Sequence, residues 1–109
     1  MAKPEPNIQA LTLRSDDGKE VTINLETQIG QHFMERFGED ARFYSSIQYT
    51  LVREAGAWYA IPNMEAKNDT IWNDRLLTEK TKLSPGDRLA VGKIAKGIKK
   101  LELTLNFIA

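Results

Sequence analysis

The 109-residue sequence contains no cysteine and only one histidine, His32. Without cysteine, disulfide bonds, thiol catalysis and thiolate-bound metal sites are excluded. The absence of cysteine is also typical of proteins from a reducing compartment. A single histidine with no carboxylate pair at ligand spacing argues against a metal site and against an acid–base pair.

An excess of charge and long apolar runs are missing as well. Fifteen basic residues balance fifteen acidic ones. Because non-specific binding to nucleic acid or an anionic membrane needs a positive field, we expect neither partner. No stretch approaches the roughly 20 apolar residues that span a bilayer, and the N-terminal residues do not resemble a signal peptide. We therefore expect a cytoplasmic protein in which the sequon Asn68-Asp69-Thr70 is not glycosylated.

Hydrophobic residues make up 41% of the chain, which is enough to fill a core. The length suits one domain, which we place at residues 8–109. Residues 1–7 contain two prolines and are interpreted as a flexible lead-in.

Alternation of apolar and polar residues is the dominant pattern and predicts short antiparallel strands. A hairpin is predicted near the start of the chain. Its first strand contains Leu11 and Leu13, its turn covers residues 15–18, and its second strand contains Val21, Ile23 and Leu25. The further predicted strands cover residues 47–51, 57–61, 71–72, 76–77, 89–91 and 101–107. Gly92 is predicted to end the strand at 89–91. Strands this short, separated by turns this often, favour an all-β sandwich or barrel.

One segment departs from alternation. Ile29, Phe33 and Phe37 recur every four residues, and Gly38 follows as a possible C-cap. The segment 28–37 is therefore either a short helix or an irregular loop whose aromatic side chains pack on the sandwich. A hairpin followed by a helix is also how a ubiquitin-like β-grasp domain begins, so that fold stays open as an alternative.

The order of motifs resembles a forkhead-associated (FHA) domain. Ile29-Gly30-Gln31 stands where that family has Ile-Gly-Arg, and Ser45-Ser46-Ile47-Gln48 stands where it has Ser-Arg-x-His. Residues 67–74 resemble its Asn-Gly-Thr-x-x-Asn-Gly, and residues 83–92 its Leu-x-x-Gly-Asp-x-Ile-x-Ile-Gly. The resemblance implies an antiparallel β-sandwich of about eleven strands whose last strand pairs with the first. It also implies recognition of phosphothreonine peptides by loops at one end.

Three of the departures from the family pattern bear most directly on function. Gln31 stands in place of the family's phosphate-binding arginine, and Gln48 in place of the histidine that braces the loops. Asp69 stands in place of the glycine of Asn-Gly-Thr. Ser45 matches the family's binding serine, and Asn68 matches its peptide-gripping asparagine. Two hypotheses follow from the resemblance. The domain binds a phosphothreonine peptide, or it is an FHA-like scaffold that docks a partner without needing phosphate.

A phosphate dianion needs hydrogen-bond donors and positive charge, and Gln31 offers only donors. Arg42 and Lys67 are the first candidates to replace the missing charge and Arg36 is a weaker one, although each residue alone is more typical of an ordinary solvated surface charge. The candidate phosphopeptide-binding residues are Gln31, Arg42, Ser45, Ser46, Lys67, Asn68, Thr70 and Asn73. Among these, Thr70 and Asn73 are expected mainly to hold the loop and its turn.

No constellation of residues supports a reaction, so we expect a non-enzyme with no cofactor and no metal. The expected partner is a phosphorylated or acidic protein segment, within a larger signalling or secretion system. Residues 88–100 carry five basic residues and no acid, which favours a solvated hairpin that protects a sheet edge over a docking surface. Trp58 and Trp72 are expected in the core, with Trp72 the better candidate for partial exposure.

Overall fold

A computed structural model describes residues 10–108. The predicted lead-in at 1–7, the predicted domain start at Ile8 and the final residue lie outside the described residues. The strands are β1 (Ala10–Ser15), β2 (Glu20–Ile23), β3 (Thr27–Ile29), β4 (Tyr49–Glu54), β5 (Ala57–Pro62), β6 (Asp69–Trp72), β7 (Arg75–Leu76), β8 (Thr81–Lys82), β9 (Arg88–Lys93) and β10 (Ile98–Ile108).

Two antiparallel sheets form the predicted β-sandwich. One sheet has the order β2-β1-β10-β9-β6-β7 and the other the order β3-β4-β5-β8. Residues 10–108 thus contain ten strands rather than the eleven expected. Apolar side chains alternate into the space between the sheets, so Leu13, Leu51, Trp58 and Leu105 are fully buried.

The first and last strands pair along the whole length of β1, from Ala10 opposite Ile108 to Ser15 opposite Leu103, which confirms the predicted closure. The predicted hairpin of β1 and β2 is also present, and Gly18 takes a positive φ of 90° in its turn. Leu25 was predicted to extend β2, and this was wrong. The strand ends at Ile23 because the chain then crosses to the other sheet, which leaves Leu25 72% exposed.

The segment 28–37 contains a helix that is shorter than the pattern predicted. Gln28 and Ile29 belong to β3, and the α-helix α1 covers only Gln31–Met34. Two 3₁₀ turns, Glu35–Phe37 and Glu39–Phe43, continue the segment. Met34 and Phe37 are buried against the sandwich. A four-residue helix beside two sheets does not fit the β-grasp alternative.

Two strand boundaries also differ from the alternation pattern. The strand predicted from Ile47 begins only at Tyr49, and Ile47 is 37% exposed because the side chain of Gln48 turns inward instead. Gly92 was predicted to end a strand but lies inside β9. Its missing side chain lets β10 approach, since a Cβ at Gly92 would lie 1.9 Å from the carbonyl oxygen of Ile98.

An ion-pair network on the six-stranded sheet gives stability a predictable pH dependence. The pKa of Asp74 lies below its ordinary value because Lys99 at 2.8 Å, and then Arg88 at 2.9 Å, donate hydrogen bonds to its carboxylate. A depressed folded-state pKa stabilises the fold above the unfolded-state pKa, and this contribution is lost as pH falls through the folded value. We therefore expect Asp74→Asn to lower stability slightly at pH 7 and by less at pH 2.

Urea unfolding of wild type and Asp74→Asn at both pH values measures this difference, with Asp16→Asn in an exposed turn as the control. The expected difference is small because exposed ion pairs contribute little. A difference between wild type and Asp74→Asn that persists unchanged at pH 2 would contradict the electrostatic explanation.

Candidate functional site

Three connections lie at one end of the sandwich, which we call the loop end. They are residues 30–48 between β3 and β4, residues 63–68 between β5 and β6, and residues 94–97 between β9 and β10. Antiparallel pairing brings them together within each sheet, as Tyr49 opposes Pro62 and Asp69 opposes Gly92. Hydrogen bonds between the connections join the two sheets at this end.

Gly30 allows the first connection to fold back on itself. The backbone N–H of Gln31 donates to the carbonyl oxygen of Ser45 at 2.9 Å. A Cβ built on Gly30 would lie 1.8 Å from the carbonyl oxygen of Ser46. Because this space is filled by backbone, only glycine fits, and the serine pair is held against the start of α1.

Gln48 braces the loop end from beneath, and its side chain is fully buried. Its Oε1 accepts the backbone N–H of Ser45 at 3.0 Å. Its Nε2 donates to the carbonyl oxygen of Asn68 and to the Thr70 hydroxyl, both at 2.9 Å. The amide therefore connects two loops from the position of the family's histidine. Gln48, although a departure from the family pattern, therefore still braces the loops.

Ser45 lies where the first two connections meet. Its Oγ accepts the backbone N–H of Lys67 at 3.1 Å. A hydroxyl also carries one donor, so this contact leaves the Ser45 O–H able to donate outward. Ser45 is half-buried, whereas the neighbouring Ser46 is exposed, as is Gln31.

Asn68 ties the second connection to the first. Its Nδ2 donates to the carbonyl oxygen of Phe43 at 2.7 Å, while its own backbone carbonyl receives the bond from Gln48. An amide side chain has two N–H donors and a carbonyl acceptor, so further hydrogen-bonding capacity remains at this half-buried residue. Asn68 is thus held in place with groups available to a peptide backbone.

The candidate cations are placed differently from one another. Arg36 is held locally, because its Nε donates to the Phe33 carbonyl at 2.9 Å and its guanidinium lies 4.2 Å from the Phe33 ring centroid. The guanidinium of Arg42 lies 5.2 Å from the Phe43 ring centroid, at the loop end. The side chain of Lys67 is exposed beside Ser45 and Asn68.

One cation at the loop end was missed by the sequence analysis. The Nζ of Lys93 donates to the carbonyl oxygen of Lys67 at 2.6 Å. Lys93 had been assigned to a basic run along a solvated hairpin. Its proximity depends on the pairing of β9 with β6, and no local pattern in the sequence indicates that pairing.

Thr70 and Asn73 are not brought to the surface of the loop end. Thr70 is 4% exposed, and its hydroxyl bonds Gln48 beneath the loops, as expected for a residue that holds the loop. Asn73 follows the far end of β6, roughly 16 Å from Asn68 at about 3.3 Å per residue. There its side chain donates to Asp87 and accepts the backbone N–H of Arg88, which holds the turn.

The burial of the two tryptophans follows the expectation that Trp72 is the more exposed of the two. Trp58 is fully buried in the core. Trp72 is half-buried, and its indole N–H donates to Asp87 at 3.1 Å. Within residues 10–108, no group of three or more histidine, cysteine, aspartate and glutamate side chains is arranged to hold a metal ion. No helix in the same residues has the length and apolar character needed to cross a membrane.

Comparison with known proteins identifies the fold by structure and not by sequence. No protein-family model matches the chain, and no curated protein matches it significantly. An FHA domain structure from a study of phosphothreonine-dependent FHA domain interactions has a TM-score of 0.70 and 16% identity, covering 92% of this chain and 98% of its own. The FHA domain of a hypothetical protein from Arabidopsis thaliana has a TM-score of 0.73 and 15% identity, covering 100% and 95%.

A third similar structure is Mycobacterium tuberculosis EmbR in complex with a low-affinity phosphopeptide. Its TM-score is 0.70 and its sequence identity is 16%. The match covers 92% of this chain and 25% of the EmbR chain. At these identities the likeness concerns the fold. The sandwich of this protein is FHA-like, which confirms the fold that the sequence motifs predicted.

Proposed function

We propose that this chain, which has the FHA fold, is a non-catalytic interaction module that binds a phosphothreonine peptide at its loop end. One observation carries the proposal. The Ser45 hydroxyl, the Lys67 backbone and Asn68 are held together by direct hydrogen bonds and by the buried brace of Gln48. Two of the similar structures come from proteins described with phosphothreonine or phosphopeptide binding, which supports the same function here.

The proposed contacts follow from the groups that face outward. The hydroxyls of Ser45 and Ser46 and the amide of Gln31 donate to phosphate oxygens, and Lys67 and Arg42 contribute positive charge. Asn68 bonds the peptide backbone. Thr70 and Asn73 act indirectly, Thr70 by holding the loop and Asn73 by holding a distant turn.

Affinity should be modest because Gln31 replaces the arginine expected from the family resemblance. A charge-assisted hydrogen bond contributes about 1.5–3 kcal/mol, so its loss lowers affinity by roughly one to two powers of ten. We therefore expect dissociation constants in the micromolar range or weaker for isolated peptides.

The test is a paired peptide array in which each phosphothreonine peptide is accompanied by its unphosphorylated twin. The best pair is then titrated by fluorescence anisotropy. We expect the phosphorylated member alone to bind measurably, and Ser45→Ala to weaken it about tenfold because a hydroxyl donor to a dianion is lost. Ser84→Ala, an exposed serine in the turn before β9, is the matched control. Equal binding of both members across the array would overturn the proposal.

The second candidate is an FHA-like scaffold that docks a partner without phosphate. The observation in its favour is the carboxylate of Asp69 at the loop end, together with the uncharged Gln31. It predicts a peptide that binds equally well with and without phosphate. The cytoplasmic location and the link to a signalling or secretion system stay predictions from the sequence.

A further inference from the structure

Positive charge beside Ser45 is the main requirement that the proposed site has to meet. Gln31 brings none, and Arg36 is held by the carbonyl and ring of Phe33. The guanidinium of Arg42 lies 5.2 Å from the Phe43 ring centroid. Lysines elsewhere at the loop end are therefore further candidates to supply positive charge beside Ser45.

Lys93 is held at the loop end by a hydrogen bond to the residue that contacts Ser45. Its Nζ lies 2.6 Å from the carbonyl oxygen of Lys67, and the N–H of that same residue lies 3.1 Å from the Ser45 Oγ. The nitrogen and carbonyl oxygen of one residue are less than about 4 Å apart. The hydroxyl and the ammonium thus contact the N–H and the carbonyl oxygen of a single peptide residue. A phosphoryl group bound beside this residue has three acceptor oxygens to offer.

The connection between β9 and β10 is anchored so that Lys93 stays there. The Asp69 Oδ2 accepts the backbone N–H of Ile94, the residue after Lys93, at 3.0 Å. Gly92 lies opposite Asp69 in the ladder and admits the close approach of β10. Gly97 takes a positive φ of 69° and closes the turn. Lys93 is half-buried between these contacts.

We propose that Lys93 binds the phosphate of the peptide and supplies the charge that Gln31 lacks, with Asp69 as the residue that positions it. This inference rests on the proposed function. The proposal connects two departures from the FHA pattern, Gln31 and Asp69. The positive charge that is missing at Gln31 is supplied by Lys93, which lies in the opposite sheet. The aspartate in place of a glycine anchors the segment that carries it.

The direct test titrates the best phosphothreonine peptide from the array, and its unphosphorylated twin, with Lys93→Ala and Lys93→Arg. We expect Lys93→Ala to weaken the phosphorylated peptide about tenfold and leave the twin unchanged, because only the dianion gains from the ammonium. Lys93→Arg, which keeps the charge, should stay within about threefold of wild type. Lys82→Ala on β8 removes an exposed lysine elsewhere and is the control.

The outcomes separate this inference from the proposed function. A wild-type protein that prefers phosphate, with Lys93→Ala binding as tightly as Lys82→Ala, overturns the role of Lys93 and leaves the proposed function standing. A wild-type protein without phosphate preference overturns both. A thermal melt of each variant shows whether it is folded, and Lys93→Arg supplies the answer if Lys93→Ala is not.

The positioning role of Asp69 has a separate readout. Asp69→Ala removes the acceptor of the Ile94 N–H, whereas Asp69→Asn keeps an acceptor and removes the negative charge. We expect Asp69→Ala to weaken phosphopeptide binding and Asp69→Asn to bind at least as tightly as wild type. Because Asp69 acts through Lys93, the double variant Asp69→Ala/Lys93→Ala should bind no more weakly than Lys93→Ala. Losses that multiply would show that Asp69 does not act through Lys93.

Discussion

Replacing Gln48 with alanine is expected to lower the free energy of unfolding by about 3 kcal/mol and to weaken phosphopeptide binding at least tenfold. The reason lies in the three side-chain hydrogen bonds that the buried amide makes. Without it, the N–H of Ser45 and the carbonyl of Asn68 lose their partners, and each unsatisfied buried group costs about 1–3 kcal/mol. For a domain whose total stability is on the order of 5–15 kcal/mol, this is a large fraction.

Urea unfolding followed by tryptophan fluorescence measures the stability, and anisotropy measures the binding. Gln28→Ala is the matched control, because Gln28 is an exposed glutamine on the neighbouring strand β3 and should change stability by less than about 0.5 kcal/mol. If Gln48→Ala unfolds at the same urea concentration as Gln28→Ala, Gln48 does not brace the loops. A stable Gln48→Ala that has lost only binding would place its effect in the loops alone.

Replacing Gly30 with alanine is expected to be at least as damaging, at about 3 kcal/mol or more. The added methyl would lie 1.8 Å from the carbonyl oxygen of Ser46 and 2.9 Å from that of Ser45, and backbone atoms cannot move aside as a side chain can. The φ of Gly30 is −151°, an extended value that alanine adopts without strain. The whole effect should therefore come from the contact and not from conformational preference.

The displaced loop gives this prediction a local measurement. The backbone N–H of Gln31 donates to the carbonyl oxygen of Ser45. Hydrogen exchange at residue 31 should therefore become much faster in Gly30→Ala than in the control Gln31→Ala, which keeps this backbone hydrogen bond. Unchanged exchange at residue 31, with unchanged stability, would mean that the loop does not pack on Gly30. We expect phosphopeptide binding to fall with the loss of protection, because Ser45 moves with the loop.

Local pattern was sufficient for the strands that form the centre of the sandwich. Leu11 and Leu13 alternate with polar residues in β1, and Leu103 and Leu105 do so in β10, because one face of each strand meets the core and the other does not. The pattern failed at Leu25, Ile47 and Gly92. Leu25 and Ile47 fit the alternation pattern and Gly92 interrupts it, but the residue at which a strand ends is decided by its pairing with the neighbouring strand.

The candidate site was predictable only in part. Ser45, Lys67 and Asn68 were identified by resemblance to family motifs, and the structure brings them together. The comparison with the family motifs recorded Gln48 only as a departure, because a sequence shows that the histidine is missing but not the geometry of the residue that replaces it. An amide has both an acceptor and two donors, and only the arrangement around it shows that all three are used.

By itself the sequence determined the all-β class and most of the strands, since alternation and turn chemistry act over a few residues. The serine and asparagine of the candidate site were indicated by the resemblance to family motifs. The tertiary structure alone decided that Gln48 braces the loops and that Lys93 lies beside Lys67. The contact from Gln48 to Asn68 joins residues 20 positions apart, and that from Lys93 to Lys67 joins residues 26 positions apart. Such distances are set by how two sheets pack and pair, which no local pattern encodes.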